Sequence, residues 1–426
     1  MVMLLTLRRS MIAACAAIGV ALSGCQTAPQ MADPVASSLV RGDAAALGFD
    51  QAKLDDIRAA LNADVMSGRI PGAYLLIARH GQVAFAHGVG VQGPGQIAPM
   101  GEETIFRIFS MTKPVVSVTA ITLVEEGKLG LDDPVSKYLP EFADVKVLQP
   151  DGSTRRAEKP MLVRHLMSHT AGLIYGFIQP NTPLGKMYAA AGEGAPDMSP
   201  REFSRLIAGL PLAAEPGTAW NYSRATDILG ALVEVVSGKP LDIAVKERVT
   251  GPLGMTDTDF LQPESKAARF AQPKRPDPLY FDYTVPVKFL QGGGGLSSTV
   301  EDYLRFAEML RNGGEYRGVR IIRKETLDRM RTPETNGDIR GRGLFFPAMG
   351  RLANSMEFGL GLSLVTDDTR QRPGSGTFSW NGIAGTEFWV DPKNDIVMVF
   401  MIQDRQLLGE YQRKNRAWIY DALVKP

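Results

Sequence analysis

Strand-like runs occur only near the two ends of this 426-residue sequence, and helix-like runs fill its middle. Strands this far apart in sequence must be brought together by everything between them. The first two lie at 73–79 and 83–88, and His80-Gly81-Gln82 between them reads as a hairpin turn. The others lie at 359–365, 377–380, 387–390 and 396–402. Apolar residues at helical spacing mark helices at 49–66 (Leu54, Ile57, Leu61, Val65), 111–126, 228–236, 296–312 and 410–423. Hairpin links, rather than helical crossovers, predict an antiparallel sheet. The expected fold is therefore α/β: an antiparallel β-sheet sandwiched by helices, with an all-helical second lobe drawn from residues of about 130–290. A cleft between the lobes is the default place for a site.

The first 25 residues stand apart. Arg8 and Arg9 precede a short apolar run, too short for a membrane span of about 20 residues, as in a secretory signal peptide. The segment ends Leu22-Ser23-Gly24-Cys25, which resembles a bacterial lipobox. It implies that Cys25 carries a lipid and that the chain is exported, anchored at the periplasmic face of the outer membrane. The expected organisation is a signal at 1–25, an Ala/Pro/Ser-rich tether at 26–45 and one catalytic domain at 46–426. The only other cysteine, Cys15, lies inside the signal, so neither a disulfide nor a cysteine nucleophile is expected in the mature chain. A formal net charge of +1 gives no reason to expect nucleic acid as a partner. No His/Asp/Glu cluster has metal-ligand spacing, so neither a metal nor another cofactor is expected.

No Gly-x-Ser-x-Gly elbow occurs, which argues against an α/β-hydrolase. The chain holds one Ser-x-x-Lys, at Ser110 and Lys113. Its setting is informative, because Ser110 opens the helix of 111–126. A helix start offers unpaired N–H groups and the positive end of the helix dipole, both suited to developing negative charge. Positions i and i+3 share a face, so the Lys113 amine can reach the Ser110 hydroxyl. Burial lowers a lysine pKa, which makes the amine a usable base.

Several stretches in order carry a wider resemblance. They are FRIFSMTK (106–113), LVEEGKLGLDDP (123–134), LMSHTAGL (166–173), GGGGLSSTVEDYLRF (292–306) and WNGIAG (380–385) followed by FWVDP (388–392). Together the sequence resembles the serine β-lactamase and penicillin-binding protein superfamily on its class C branch, and more particularly the family VIII carboxylesterases. The resemblance covers residues of about 46–426. It implies a serine hydrolase working through an acyl-enzyme, with Ser110 as nucleophile and Lys113 and Tyr222 as its base pair. The backbone N–H groups of Ser110 and Ile383 would form the oxyanion hole, with Trp380, Asn381 and Gly382 lining the substrate site.

Two departures narrow the expectation. Arg224 stands where class C β-lactamases carry an Asn, and Trp380-Asn381-Gly382 stands where they carry Lys-Thr-Gly. Arg224 could bind a substrate carboxylate or turn to solvent. Trp380 offers an aromatic wall to an uncharged group. A small-molecule carboxylic ester with a short acyl chain is the expected substrate. The competing readings are a β-lactamase or D-amino-acid peptidase acting on cell-wall amides, and a catalytically silent binding lipoprotein. Simpler roles are expected elsewhere: His169 as a framework hydrogen-bonder, Asp132 and Asp133 in a turn, and the Gly292–Gly295 run as a tight turn rather than a phosphate cradle. Tyr280, Phe281 and Tyr283, in a Pro-rich loop, could equally wall a cleft or clamp the surface.

Overall fold

A computed structural model describes residues 39–193, 195, 197–335, 356–366 and 374–424. The expected signal segment at 1–25, with Cys25, lies outside the described residues. The distant strands do meet, in a seven-stranded sheet. Its strands are β1 (Gly72–Arg79), β2 (Gln82–Gly90), β3 (Met356–Phe358), β4 (Ser363–Val365), β5 (Phe378–Asn381), β6 (Glu387–Asp391) and β7 (Ile396–Met401). Their order is β2-β1-β7-β6-β5-β4-β3, and every neighbouring pair is antiparallel. The seam between chain ends runs from Tyr74 opposite Met401 to Arg79 opposite Ile396. His80 and Gly81 both take positive φ, 53° and 74°. That is the twist a two-residue hairpin needs.

The sequence of β7, IVMVFM, is apolar throughout because both of its faces are covered. Ile396, Met398 and Phe400 pack with Leu54, Ile57 and Leu61 of helix α1 (Gln51–Met66) and with Tyr411 and Ile419 of the C-terminal helix (Leu408–Ala422). Val397, Val399 and Met401 join the other core, with helix α2 (Thr112–Glu125), helix α3 (Ala225–Ser237) and helix α4 (Val300–Arg311). The sheet is thus sandwiched by helices, as expected. The second lobe gathers Val163–Met167, Pro183–Ala190 and Pro200–Ala208 with α3. Ser199 and Glu202 cap the last of these reciprocally.

Three local expectations change. The second lobe is not wholly helical: Lys146–Leu148 pairs with Thr154–Arg156 across the turn Pro150-Asp151-Gly152-Ser153, where Asp151 accepts from the Ser153 N–H at 2.9 Å. The helix expected at 296–312 starts at Val300, because the Thr299 hydroxyl caps the Asp302 N–H and Ser297–Ser298 is drawn into a short ladder with Phe106–Arg107. The run at 359–365 is a turn leading into β4, with Gly361 at φ 82°. The folded body also begins earlier than the expected boundary at 46. The Gly42 N–H donates to the Val83 carbonyl and the Val83 N–H to that of Val40, which docks residues 40–42 on β2. Among the described residues, no helix is long and apolar enough to cross a membrane.

Candidate active site

Ser110 sits in a single tight turn, Phe109–Met111, which runs directly into α2. Phe109 adopts φ 45°, a conformation that costs a non-glycine residue about 1–3 kcal/mol. The surroundings over-determine it. Ile108 donates from its N–H to the Leu296 carbonyl at 3.2 Å, and Tyr303 donates to the Met111 carbonyl at 2.8 Å. The Thr112 hydroxyl accepts from the Leu296 N–H at 3.0 Å. Gln403 grips Arg107 through both its N–H and its carbonyl. The short Phe106–Arg107 ladder, absent from the sequence pattern, is what fixes the approach to the serine.

Three expected residues converge. Lys113 Nζ lies 3.2 Å from Ser110 Oγ, and the Tyr222 hydroxyl lies 2.6 Å from the same oxygen. Lys113 follows from one turn of α2, while Tyr222 comes from the loop before α3, in the second lobe. The Lys113 ammonium has two further partners: the Tyr175 hydroxyl at 2.9 Å and the Gly293 carbonyl at 2.6 Å. All three of its protons are therefore directed at defined acceptors.

The electrostatics separate the two candidate bases. Complete burial pushes the Lys113 pKa down to about 7; Asp227 opposes this and Arg224 adds to it. Burial pushes the Tyr222 phenol above its ordinary value, against the Ser110 and Trp380 side chains, which favour phenolate. Near neutral pH the amine gives up its proton more readily than the phenol. His169 packs edge-on against Tyr222 at 4.8 Å, and its Nδ1 lies 3.2 Å from Ser223 Oγ. Burial and then the Lys113 charge hold His169 neutral, which suits the framework role.

Trp380 closes one side. Its ring lies 5.4 Å from that of Tyr222 and 5.1 Å, edge-on, from Phe358. Its ring is buried in an aromatic cluster with Tyr222 and Phe358. Asn381 ends β5 opposite Glu387, and Gly382 follows. A Cβ on Gly382 would fall 2.3 Å from the Ile108 carbonyl oxygen, so only glycine lets β5 abut the nucleophile turn. Ile383 is the residue that follows Gly382 in the chain.

Arg224 does not do what the sequence suggested. Its guanidinium neither turns to solvent nor stands free for a substrate carboxylate. It is buried, paired with Glu193 at 3.1 Å and with Asp227 at 3.4 Å, and lies over the Tyr175 ring at 4.9 Å. Two carboxylates supplied from within the fold have taken the place of a ligand. Asp227 in turn accepts from the Gly293 N–H at 2.8 Å.

Tyr175, Asp227, Glu193 and the Gly293 backbone were not foreseen. The glycine run is a tight turn as expected, but a turn with a task. A Cβ on Gly293 would meet the Tyr175 hydroxyl at 2.8 Å and Asp227 Oδ2 at 3.0 Å. A bare backbone is what allows the peptide to reach both Lys113 and Asp227. The available signal was Asp227 itself, a carboxylate set beside Ala225, Ile228 and Leu229 in the stretch of α3 that is buried throughout from Ala225 to Val233. Among the described residues, no group of three or more His, Cys, Asp or Glu could hold a metal ion.

A known family profile, described as Beta-lactamase, matches residues 52–422. An uncharacterized protein of Mycobacterium tuberculosis is 36% identical over 82% of this chain and 90% of its own length. The esterase EstB of Burkholderia gladioli is 32% identical over 84% of this chain and 90% of its own. Among solved structures, EstCE1, described as a hydrolase with promiscuous acyltransferase activity, superposes with a TM-score of 0.72 at 29% identity, over 88% of this chain and 99% of its own. The profile match spans the nucleophile turn, the second lobe and the strand of Trp380 together. The chain belongs to the β-lactamase family, and within it is a serine hydrolase acting on esters.

Proposed function

We propose that Ser110 is the nucleophile of a carboxylesterase reaction and that Lys113 and Tyr222 move its proton. The observation that carries this is the pair of contacts at 3.2 Å and 2.6 Å on one serine oxygen. In the first half-reaction the Ser110 oxygen bonds to the ester carbonyl carbon, and its proton passes to the Lys113 amine. The carbonyl oxygen becomes an oxyanion, held by the Ser110 and Ile383 N–H groups; one such donor is worth about 2.7–4 kcal/mol. The bond to the alkoxy group then breaks, and the proton leaves with the alcohol. Tyr222, whose hydroxyl lies 2.6 Å from the Ser110 oxygen, shares in that transfer. Water repeats the sequence on the acyl-enzyme, giving the acid and restoring Ser110. A positioned base contributes about 10²–10⁴-fold.

Trp380 and Asn381 line the substrate side, and the apolar wall favours an uncharged ester. A short acyl chain is the starting expectation. Arg224 is committed to Glu193 and Asp227, and the Lys of Lys-Thr-Gly is replaced by Trp380, so an anionic β-lactam lacks both of its usual partners. Wild type should therefore cleave p-nitrophenyl butyrate well and nitrocefin poorly, and Ser110→Ala should cleave neither. Full p-nitrophenyl ester hydrolysis by Ser110→Ala would refute the assignment. A second reading is acyl transfer to an alcohol instead of water, favoured by the likeness to EstCE1 and its promiscuous acyltransferase activity. Gas chromatography for a new ester, with a primary alcohol added, distinguishes the two.

We further propose that the chain is exported and carries a lipid on Cys25, on the strength of Leu22-Ser23-Gly24-Cys25 after a short apolar run. Labelling with an alkyne palmitate analogue should mark wild type and not Cys25→Ala. Equal labelling would refute the anchor.

A further inference from the structure

A single file of polar contacts runs from the loop of Phe177 to the Lys113 amine. The Phe177 N–H donates to Glu193 Oε1 at 2.9 Å. Arg224 donates from Nε to Glu193 Oε2 at 3.1 Å and from Nη1 to Asp227 Oδ2 at 3.4 Å. Asp227 Oδ1 accepts from the Gly293 N–H at 2.8 Å, and the Gly293 carbonyl accepts from Lys113 Nζ at 2.6 Å. The side chains of Glu193, Arg224 and Asp227 are at most 8% exposed. Charges so enclosed hold one another in place, because each is costly to leave unpaired.

Glu193 is the outermost carboxylate of this file, and space is kept for it. A Cβ on Gly176 would collide with Glu193 Oε1. The Arg224 guanidinium lies over the Tyr175, Phe177 and Phe203 rings at 4.9, 5.7 and 5.6 Å. Rings flank the charge without solvating it, so two carboxylates decide where it points. Glu193 is the nearer of them, while Asp227 is the more deeply buried and weighs more on the guanidinium charge. Asp227 alone would draw Arg224 fully onto itself. A carboxylate closed on a guanidinium has less charge left to hold the Gly293 peptide and to favour the Lys113 ammonium.

We propose that Glu193 is a positioning residue for the base: it holds Arg224 back from Asp227, which leaves Asp227 to fix the Gly293 peptide on which the Lys113 amine is seated. The inference rests on the reading of Lys113 as the base of the ester reaction and adds a remote residue that tunes it. Lys113 is faced by Ser110 from its own turn, Tyr175 from the loop of Phe177, Tyr222 from the loop before α3, and Arg224 and Asp227 from the start of α3. His169, edge-on to Tyr222, is neutral. Burial lowers the Lys113 pKa most; Asp227 opposes it and Arg224 adds to it. Removing the Glu193 charge leaves Arg224 less opposed, which disfavours the ammonium and lowers the pKa further.

The test is the pH dependence of kcat/KM for p-nitrophenyl butyrate. Glu193→Gln keeps an acceptor and loses the charge, and its acid limb should move to lower pH by at least about 0.5 unit. Glu193→Asp keeps the charge, so its limb should stay within about 0.2 unit of wild type even where the rate falls. Gly176→Ala removes no charge, but its methyl displaces the Glu193 carboxylate, so its limb should move in the direction of Glu193→Gln. Should Glu193→Gln not fold, Gly176→Ala decides. A lower rate with an unmoved limb in Glu193→Gln and Gly176→Ala would reduce Glu193 to a structural residue and overturn the inference, as would an equal movement in Glu193→Asp. A wild-type profile with no limb near pH 7 would instead overturn the base reading itself, and this inference with it.

Discussion

Lys113→Met separates a buried base from a buried structural lysine. The ammonium is fully enclosed, and its pKa falls from 10.5 to about 7. A base whose folded pKa lies below its unfolded one binds fewer protons in the fold. The resulting cost to stability is fully present below the folded pKa and fades as pH rises toward the unfolded value. Lys113 therefore makes the wild type less stable at pH 7 than at pH 10, by about 1.4 kcal/mol for each pH unit between the two pKa values. Over roughly three units that is about 4 kcal/mol, an upper figure, since the bonds to Ser110, Tyr175 and Gly293 offset part of the burial. Methionine keeps the volume and does not titrate. Urea unfolding of both proteins at several pH values from 7 to 10 gives the difference curve, in which the other titrations cancel. The gap in favour of Met should be large at pH 7 and shrink by several kcal/mol toward pH 10. Activity should show the opposite face of the same fact. Wild-type kcat/KM should rise through about pH 7 as the amine loses its proton, and the Met variant should lose about 10²–10⁴-fold with no such rise. Parallel stability curves would mean an ordinary lysine pKa, and the base assignment would fall.

Three further outcomes follow from the same site. Tyr175→Phe removes a hydroxyl that accepts from the Lys113 ammonium, so the acid limb of the pH–rate profile should move to lower pH while kcat falls by roughly tenfold; an unmoved limb would show that the phenol does not act on the base. Gly293→Ala should cost at least about 100-fold in kcat, because its methyl must displace Tyr175 or Asp227, yet a circular dichroism spectrum should stay that of wild type. Arg224→Met should destabilise by about 3–5 kcal/mol in urea, since it strands the Glu193 and Asp227 carboxylates in the interior; a neutral effect would put Arg224 back among residues free to meet substrate.

What the sequence disclosed and what it hid divide along a physical line. The hairpin at His80-Gly81, the apolar run of β7 and the helix after Ser110 are local signals, and each stands where the pattern put it. Ser110 and Lys113 are neighbours on one helix, so their meeting was legible from spacing alone. Tyr222 and Trp380 were reached through the order of several motifs, since neither is near Ser110 in the chain. Tyr175, Asp227 and Gly293 have no spacing to betray them. They matter because three distant segments cross at one ammonium group, and a crossing leaves no periodic trace. Arg224 misled for a related reason: of the two carboxylates its guanidinium meets, Asp227 is three positions away, but Glu193 is 31 positions away and no local pattern points to it. The start of α4 was overextended because Leu296 fits a helical stripe, whereas Ser297 and Ser298 are claimed by the strand of Phe106–Arg107.

The most direct test is the identity of the acylated residue. Wild type is mixed with a slowly turning-over ester such as p-nitrophenyl pivalate, quenched in acid within the burst, digested and analysed by mass spectrometry. The account predicts one acyl group, on Ser110, and none in Ser110→Ala. It also predicts that Tyr222→Phe and Lys113→Met accumulate the adduct more slowly. An acyl group on any other residue, or catalysis at the wild-type rate with Ser110 unmodified, would contradict it.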